Sequence, residues 1–271
     1  MSSQTKRVEL IPAKRHAMII EYLRTHGASS IGELAEATRG SISTVRRDLE
    51  QLEEDGYLER THGGARLPPV LATFERERVL NAHLQSRQKM AIGAEAALRL
   101  NPRESVICDG SSTVFEAVRV AIARNMPLTI VTNSLDVAQL CASAPNWQVI
   151  MPGGTIRQGM NCLYGEPGLS FFKVLHADVC LVGAYAINED SLTDATIEAA
   201  IMKGAMIKSA RRTIVLADSS KFTVPAFLTS CELSAVHELI TDDGISAAHR
   251  EALKGRNVQL TTVPVPPDDA D

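Results

Sequence analysis

The chain predicts an α/β protein in two parts, a small helical domain at the N-terminus and a larger domain around a mostly parallel sheet. Three observations support this. The length, 271 residues with 45% hydrophobic content, allows sizeable cores and favours two domains over one. Up to Asp55 the apolar residues recur at helical spacing. From Ser105 onward short apolar runs alternate with helical stretches, the rhythm of βαβ units whose parallel sheet is covered on both faces.

A first helix is expected from Ala13 to Thr25, opened by Pro12, closed by Gly27 and apolar along Met18, Ile19, Tyr22 and Leu23. Ser30-Ile31-Gly32-Glu33 has capping-box spacing and leads a short second helix through Leu34, Ala35 and Ala37. Thr38-Arg39-Gly40 then turns the chain into Ser41, the N-cap of a third helix that runs to about Asp55, with Gly56 as its left-handed cap. Val45, Leu49 and Leu52 form one apolar stripe on this helix, so Ser43, Arg47 and Gln51 point away from it, flanked by Thr44 and Arg46. Its acidic residues, Glu50, Glu53, Glu54 and Asp55, are confined to the second half, and only the first half can approach phosphates without repulsion. Tyr57 to Leu67 predicts a two-stranded wing around Gly63-Gly64, with Arg60, His62 and Arg66 placed for phosphate contacts. The net charge of −4 does not by itself suggest nucleic acid, but the local pattern is that of a winged helix-turn-helix, with Ser41, Ser43, Thr44, Arg46, Arg47, Arg60 and His62 as candidate DNA contacts.

The expected boundaries are 10–67 for this reader domain, 68–74 for a linker begun by Pro68-Pro69, 75–263 for the second domain and 264–271 for a disordered Pro- and Asp-rich tail. Phe74 to Leu100 reads as a connecting helix, exposed in its first half and packed in its second. Strands are expected at Ser105–Cys108, Leu128–Thr132, Gln148–Met151, Val179–Val182, Thr213–Ala217, Glu238–Ile240 and Val258–Leu260. Helices are expected between them at Val114–Ala123, Ser134–Ala142, Leu169–Leu175 and Thr196–Ala210.

Ligands of such sheets bind at the carboxyl ends of the strands. The loops there share one chemistry. Asp109-Gly110-Ser111-Ser112-Thr113 opens a helix and offers hydroxyls, backbone N–H groups and a helix dipole. Thr132-Asn133-Ser134 repeats the arrangement, Gly153-Gly154-Thr155 with Arg157 follows the third strand, Gly183-Ala184 the fourth, and Asp218-Ser219-Ser220-Lys221 adds a cation after the fifth. Convergence of several such loops points to an anionic, hydroxyl-rich ligand, with Asp109, Gly110, Ser111, Ser112, Thr113, Thr132, Asn133, Ser134, Gly153, Gly154 and Lys221 as candidates.

Residues 15 to 66, through Thr44-Val45-Arg46-Arg47-Asp48-Leu49 and the wing's His62-Gly63-Gly64-Ala65, resemble the winged helix-turn-helix of the DeoR family of bacterial transcription regulators. Roughly residues 75 to 263 resemble that family's C-terminal sensor domain, similar in fold to sugar-phosphate isomerases and coenzyme A transferases. The residues that carry this are Cys108 to Thr113, Val131 to Ser134, Pro152-Gly153-Gly154, Glu198-Ala199-Ala200 with Lys203, and Leu216 to Phe222. The resemblance implies operator DNA and a phosphorylated sugar as partners, with Ser111, Ser112 and Thr113 holding the phosphate and Asp109, Asn133 and Lys221 meeting sugar oxygens.

The chief alternative is an isomerase-like enzyme fused to a DNA-binding domain, with Lys221, Asp109 or Asp218 as acid and base. Binding alone needs only the same groups, and the reader domain gives binding a purpose, so a regulator without catalysis is expected. A purely architectural DNA-binding protein would not need polar loops at its strand ends. A homo-oligomer is expected, since one reader helix buries too little for tight specific binding. The seven histidines lack metal-ligand spacing, the five cysteines contain no C-x-x-C pair, and no cofactor is expected. Cys108 and Cys180 read as buried, Trp147 as core. No apolar run has transmembrane length and no signal-peptide core precedes the first helix, so the cytoplasm is the expected compartment, without membrane contact.

Overall fold

A computed structural model describes residues 11–69, 71–75, 77–157 and 159–266. The chain divides into two units, Met1–Val70 with Arg76–Gln85, and Leu71–Glu75 with Ser86–Asp271.

The smaller unit contains α1 (Pro12–His26), β1 (Ser29–Ser30), α2 (Ile31–Ala37), α3 (Ile42–Glu54), β2 (Glu59–Thr61), β3 (Gly64–Arg66) and α4 (Arg78–His83). Pro12 stands in the first turn of α1, where its missing N–H removes nothing. Ser30 and Glu33 close a reciprocal capping box on α2, and Ser41 caps α3 by accepting from the Thr44 N–H at 3.1 Å. The apolar stripe expected on α3 is buried, with Val45, Leu49 and Leu52 all at 0% exposure, and the helix packs on α1 and α2. The wing has a third strand that the sequence did not announce. Order β1-β3-β2 pairs Ser29 with Ala65 and Ser30 with Gly64. Gly64 permits this closure, because a Cβ there would lie 2.0 Å from the Ser29 carbonyl oxygen.

The single connecting helix expected from Phe74 to Leu100 is instead two, α4 and α5 (Ser86–Ala97), broken where Gln85 takes a left-handed φ of 52°. The first piece belongs to the smaller unit, not to the 75–263 domain expected. Leu80 and Leu84 are buried there, the Gln85 N–H donates to the Glu21 carboxylate at 2.5 Å, and the Glu77 N–H donates to the Tyr57 hydroxyl at 2.6 Å. These tertiary bonds end the helix although the local sequence is helix-prone throughout.

The larger unit continues with β4 (Ser105–Cys108), α6 (Ser112–Ala123), β5 (Leu128–Thr132), α7 (Leu135–Cys141), β6 (Trp147–Ile150), β7 (Thr155–Ile156), β8 (Leu163–Tyr164), α8 (Gly168–Val174) and β9 (Ala177–Gly183). It ends with β10 (Ala186–Ile187), β11 (Ser191–Asp194), α9 (Ile197–Lys208), β12 (Ala210–Leu216), β13 (Leu228–Glu232), β14 (Glu238–Asp242), α10 (Ala247–Leu253) and β15 (Gln259–Val263). Its main sheet has seven strands in order β15-β14-β12-β9-β4-β5-β6, every described pairing parallel. Alternate strand residues feed two cores. Val106, Cys108, Val179, Leu181, Ile214 and Leu216 join the cluster with Ile92 and Ala117, whereas Ile107, Cys180, Val182 and Val215 join the one with Phe172, Met202 and Met206. Both faces being covered, the strands read as unbroken apolar runs.

Two small additions escaped sequence reasoning, the hairpin β7-β8 and the antiparallel sheet β10-β11-β13. Their strands are two residues long or polar, which leaves no periodicity to detect. No helix among the described residues is long and apolar enough to cross a membrane. The tail expected over 264–271 lies outside the described residues from 267 on.

Candidate functional site

In the smaller unit α3 is held by a buried ion pair. Asp48 accepts from Arg15 Nε at 2.5 Å and Nη2 at 2.8 Å, and its Oδ1 lies 3.1 Å from His16 Nε2. Burial opposes the Asp48 charge, but the Arg15 and His16 bonds outweigh it and hold the carboxyl below its ordinary value. Asp48 thus ties the middle of α3 to α1 and turns Arg46 and Arg47 outward, both exposed together with Ser41 and Ser43. Thr44 is half-buried, and its hydroxyl meets Ser41 Oγ at 2.8 Å, while Ser43 Oγ lies 2.9 Å from the same atom. His62 is exposed at the wing tip. Arg60 Nη1 lies 3.8 Å from Glu50, its Nε is a buried donor without a partner, and its backbone N–H donates to Glu53. Arg66, also expected on the wing, pairs with Glu59 at 2.7 Å. Sequence reasoning missed Arg39, an exposed cation at φ 53° in the turn before α3.

In the larger unit the loops after β4, β5 and β9 converge. Asp109 is the latch among them, since its Oδ1 accepts from the Ser111 N–H and its Oδ2 from the Gly183 N–H, both at 3.0 Å. Gly110 lies so close to the next loop that a Cβ there would sit 2.2 Å from Cys162 Sγ and 3.4 Å from the Ser134 Cβ. Ser111 caps α6 through the Val114 N–H. Ser112 and Thr113 lie in the first turn, where helix geometry supplies no intrahelical acceptor for their N–H groups. Thr132 Oγ1 accepts from the Ser134 N–H and Ser134 Oγ from the Val137 N–H, which opens α7 in the same way.

Asn133 is 3% exposed. It fixes hairpin β7-β8 by donating from Nδ2 to the Leu163 carbonyl at 3.0 Å and accepting the Leu163 N–H at 2.8 Å, but its Oδ1 has no partner. Gly153 and Gly154 carry the chain into that hairpin, whose Arg157 bonds Thr196 Oγ1 at 3.0 Å and pairs with Glu75 at 2.7 Å. Lys221 sits on a separate turn, buried, its N–H bonded to the Asp218 carbonyl.

The cation brought to Asp109 is a different lysine. Lys203, one face of α9, reaches Asp194 at 3.0 Å and Asp109 at 3.9 Å, and Ser230 Oγ donates to the other oxygen of Asp194. Burial works against its ammonium, but Asp194 and Asp109 reverse the balance and raise the Lys203 pKa. The sequence carried a signal for it, a lysine in line with buried Ala200 and Met206 on an otherwise apolar stripe. Nothing local marked its partner Asp194. Burial also pushes the Cys162 thiol up to about 12 and raises Tyr164, helped by the charges of Asp109 and Glu75.

Comparison with known proteins fits this layout. Residues 15–69 match the DeoR-like helix-turn-helix domain and residues 84–243 the DeoR C-terminal sensor domain. The chain belongs to the DeoR family of transcription regulators. This DeoR-family chain is 30% identical to the HTH-type transcriptional repressor GlcR of Bacillus subtilis over 91% of its own length and 95% of the relative's. It is 35% identical to the glycerol-3-phosphate regulon repressor of Haemophilus influenzae over 84% and 89% of the two chains. Among solved structures, the ribose 5-phosphate isomerase of Methanocaldococcus jannaschii aligns with 50% of this chain and 53% of its own, at 14% identity and a TM-score of 0.38.

Proposed function

We propose that the protein is a transcriptional repressor whose operator affinity is set by a phosphorylated sugar bound at the carboxyl ends of the parallel strands. One observation carries the ligand reading. Among the described residues of the larger unit, the buried side-chain polar atoms without a hydrogen-bond partner are Asn133 Oδ1, Asp218 Oδ2 and Thr241 Oγ1, and all three stand at the carboxyl ends of main-sheet strands. A buried acceptor left without a donor costs about 1–3 kcal/mol, and sugar hydroxyls are donors of the required kind. The phosphate is assigned to the Ser112 and Thr113 N–H groups at the start of α6, with the Ser111 to Thr113 hydroxyls around it and the Arg157 guanidinium as its cation. Asp109, Gly110, Thr132, Asn133, Ser134, Gly153, Gly154 and Lys221 complete the binding set, with Lys203 added.

Binding is favoured over isomerisation by the state of Lys203. A lysine held charged by two carboxylates is a poor proton acceptor, and both oxygens of Asp109 already receive backbone N–H groups. Phosphosugar turnover that disappears in Lys203→Gln would overturn this choice. A thermal-shift screen of the full chain tests the ligand, beginning with glycerol 3-phosphate because one relative is named for that regulon. Stabilisation by a phosphosugar but not by its unphosphorylated sugar is the expected result.

On DNA, Ser41, Ser43, Thr44 and Arg47 face the groove, with Arg46, Arg60 and His62 on phosphates. A homo-oligomer in the cytoplasm, reading two half-sites, completes the proposal. Light scattering of the purified chain checks the assembly.

A further inference from the structure

The segment Leu71–Glu75 has an unusual place in the chain. The chain on either side of it in sequence belongs to the smaller unit, yet these five residues belong to the larger. Among the described residues, three contacts tie them to the larger unit. The Ala72 carbonyl accepts the Phe227 N–H at 3.1 Å, the Phe74 carbonyl accepts from the Tyr185 hydroxyl, and Glu75 pairs with Arg157. The last contact is two-pronged, Arg157 Nη2 to Oε2 at 2.7 Å and Nη1 to Oε1 at 3.3 Å. This fork is the one that recognises phosphate oxygens equally well. Arg157 Nη1 also donates to Thr196 Oγ1, the cap of α9, which carries Lys203 toward Asp109. The Arg157 backbone N–H also donates to the Cys162 carbonyl at 3.2 Å, and Cys162 Sγ lies against Gly110, so the hairpin that carries Arg157 adjoins the Asp109–Thr113 loop.

The charges there are unbalanced. Arg157 and Lys203 face Glu75, Asp109, Asp194 and Glu198, a poor setting for an anion while all four carboxylates remain. Only Glu75 lies on a short strap of chain that can leave without dismantling the sheet. Its hold is also opposed. Burial raises the Glu75 pKa, Arg157 lowers it, and Asp194 and Glu198 raise it again, with a net rise. The docked carboxylate is therefore less comfortable than one in water, despite its arginine.

We infer that Glu75 is a built-in competitor for the ligand's phosphate at Arg157, so that a phosphorylated ligand frees the strap Leu71–Glu75 and thereby alters the chain segment that runs directly into the DNA-reading unit. This rests on the phosphosugar reading above. It supplies the differential interaction that a ligand needs to shift an equilibrium between two arrangements. The strap docks when Arg157 has Glu75, and detaches when Arg157 has phosphate.

The test uses the full chain, as wild type, Glu75→Gln and Arg157→Gln, with inorganic phosphate, glycerol 3-phosphate, glucose 6-phosphate and fructose 6-phosphate as probes. Hydrogen exchange reports the amides of 71–75 and, separately, those of 109–113; titration gives the affinities. Without ligand, Glu75→Gln should exchange faster over 71–75 while melting near the wild-type temperature. If the strap occupies Arg157 about nine-tenths of the time, Glu75→Gln should bind a phosphosugar about tenfold tighter. Arg157→Gln should loosen the strap and weaken binding. Exchange over 71–75 should rise in the wild type when a phosphosugar protects 109–113. Weaker or unchanged binding by Glu75→Gln would instead make Glu75 an acceptor for sugar hydroxyls or a bystander, and would overturn the inference alone. So would protection of 109–113 with no change over 71–75. A response to inorganic phosphate equal to that of the sugar phosphates would identify the anion by itself as the signal and leave the competition standing. If no probe protects 109–113 in any variant, the phosphosugar reading falls and this inference with it.

Discussion

Asp48 shows how much one residue decides in the reader. A carboxylate in the middle of the third helix, next in sequence to the exposed Arg46 and Arg47, is buried at 6% exposure on Arg15. Asp48→Ala should cost about 3 kcal/mol by stranding the Arg15 guanidinium, seen as a lower melting temperature of the DNA-reading unit. The folded pKa lies below the ordinary value, so the pair's contribution is complete above about pH 4 and declines as pH falls through the folded value. A melt that is flat with pH between about 5 and 2 would contradict this. The two outward arginines should behave differently. Arg47→Ala is expected to lose about 1–3 kcal/mol and to relax preference at one operator position. Arg46→Ala should weaken all sequences alike and reduce the salt slope by about one.

At the scale of elements, the loops at the strand ends depend on close approach. The β4-α6 loop can touch the Cys162 loop only because residue 110 has no Cβ. Gly110→Ala must push those loops apart or move the Cys162 side chain, with an expected loss of about 1–3 kcal/mol and a weaker ligand-induced thermal shift. An unchanged shift would place the ligand away from this loop. Strand and helix positions were largely legible, as β4 and β5 begin and end where their apolar runs do. Small elements were not. The β7-β8 hairpin exists because Asn133 grips both backbone groups of Leu163, a contact across 30 positions that leaves no mark on local periodicity. The same applies to the break at Gln85, which depends on Glu21.

For the whole molecule, a ligand at one hundred times its dissociation constant should stabilise the chain by about 2.7 kcal/mol. Coupling to DNA is then reciprocal by necessity. If a phosphosugar changes operator affinity by some factor, operator DNA must change phosphosugar affinity by the same factor. Isothermal titration of a phosphosugar in the presence and absence of operator measures that factor, and a factor of one would mean that the ligand does not control operator affinity.

The amino-acid sequence by itself determined the reader helix, its caps, the parallel sheet and the polar loops at its strand ends. These follow from periodicity and turn chemistry, which act over a few residues. Only the tertiary structure decided which charges meet. Lys203 rather than Lys221 reaches Asp109, Asp48 turns inward to Arg15, and Glu75 lies on Arg157, because each partner is chosen by burial among residues far apart in the chain, where an unpaired charge is too costly to keep.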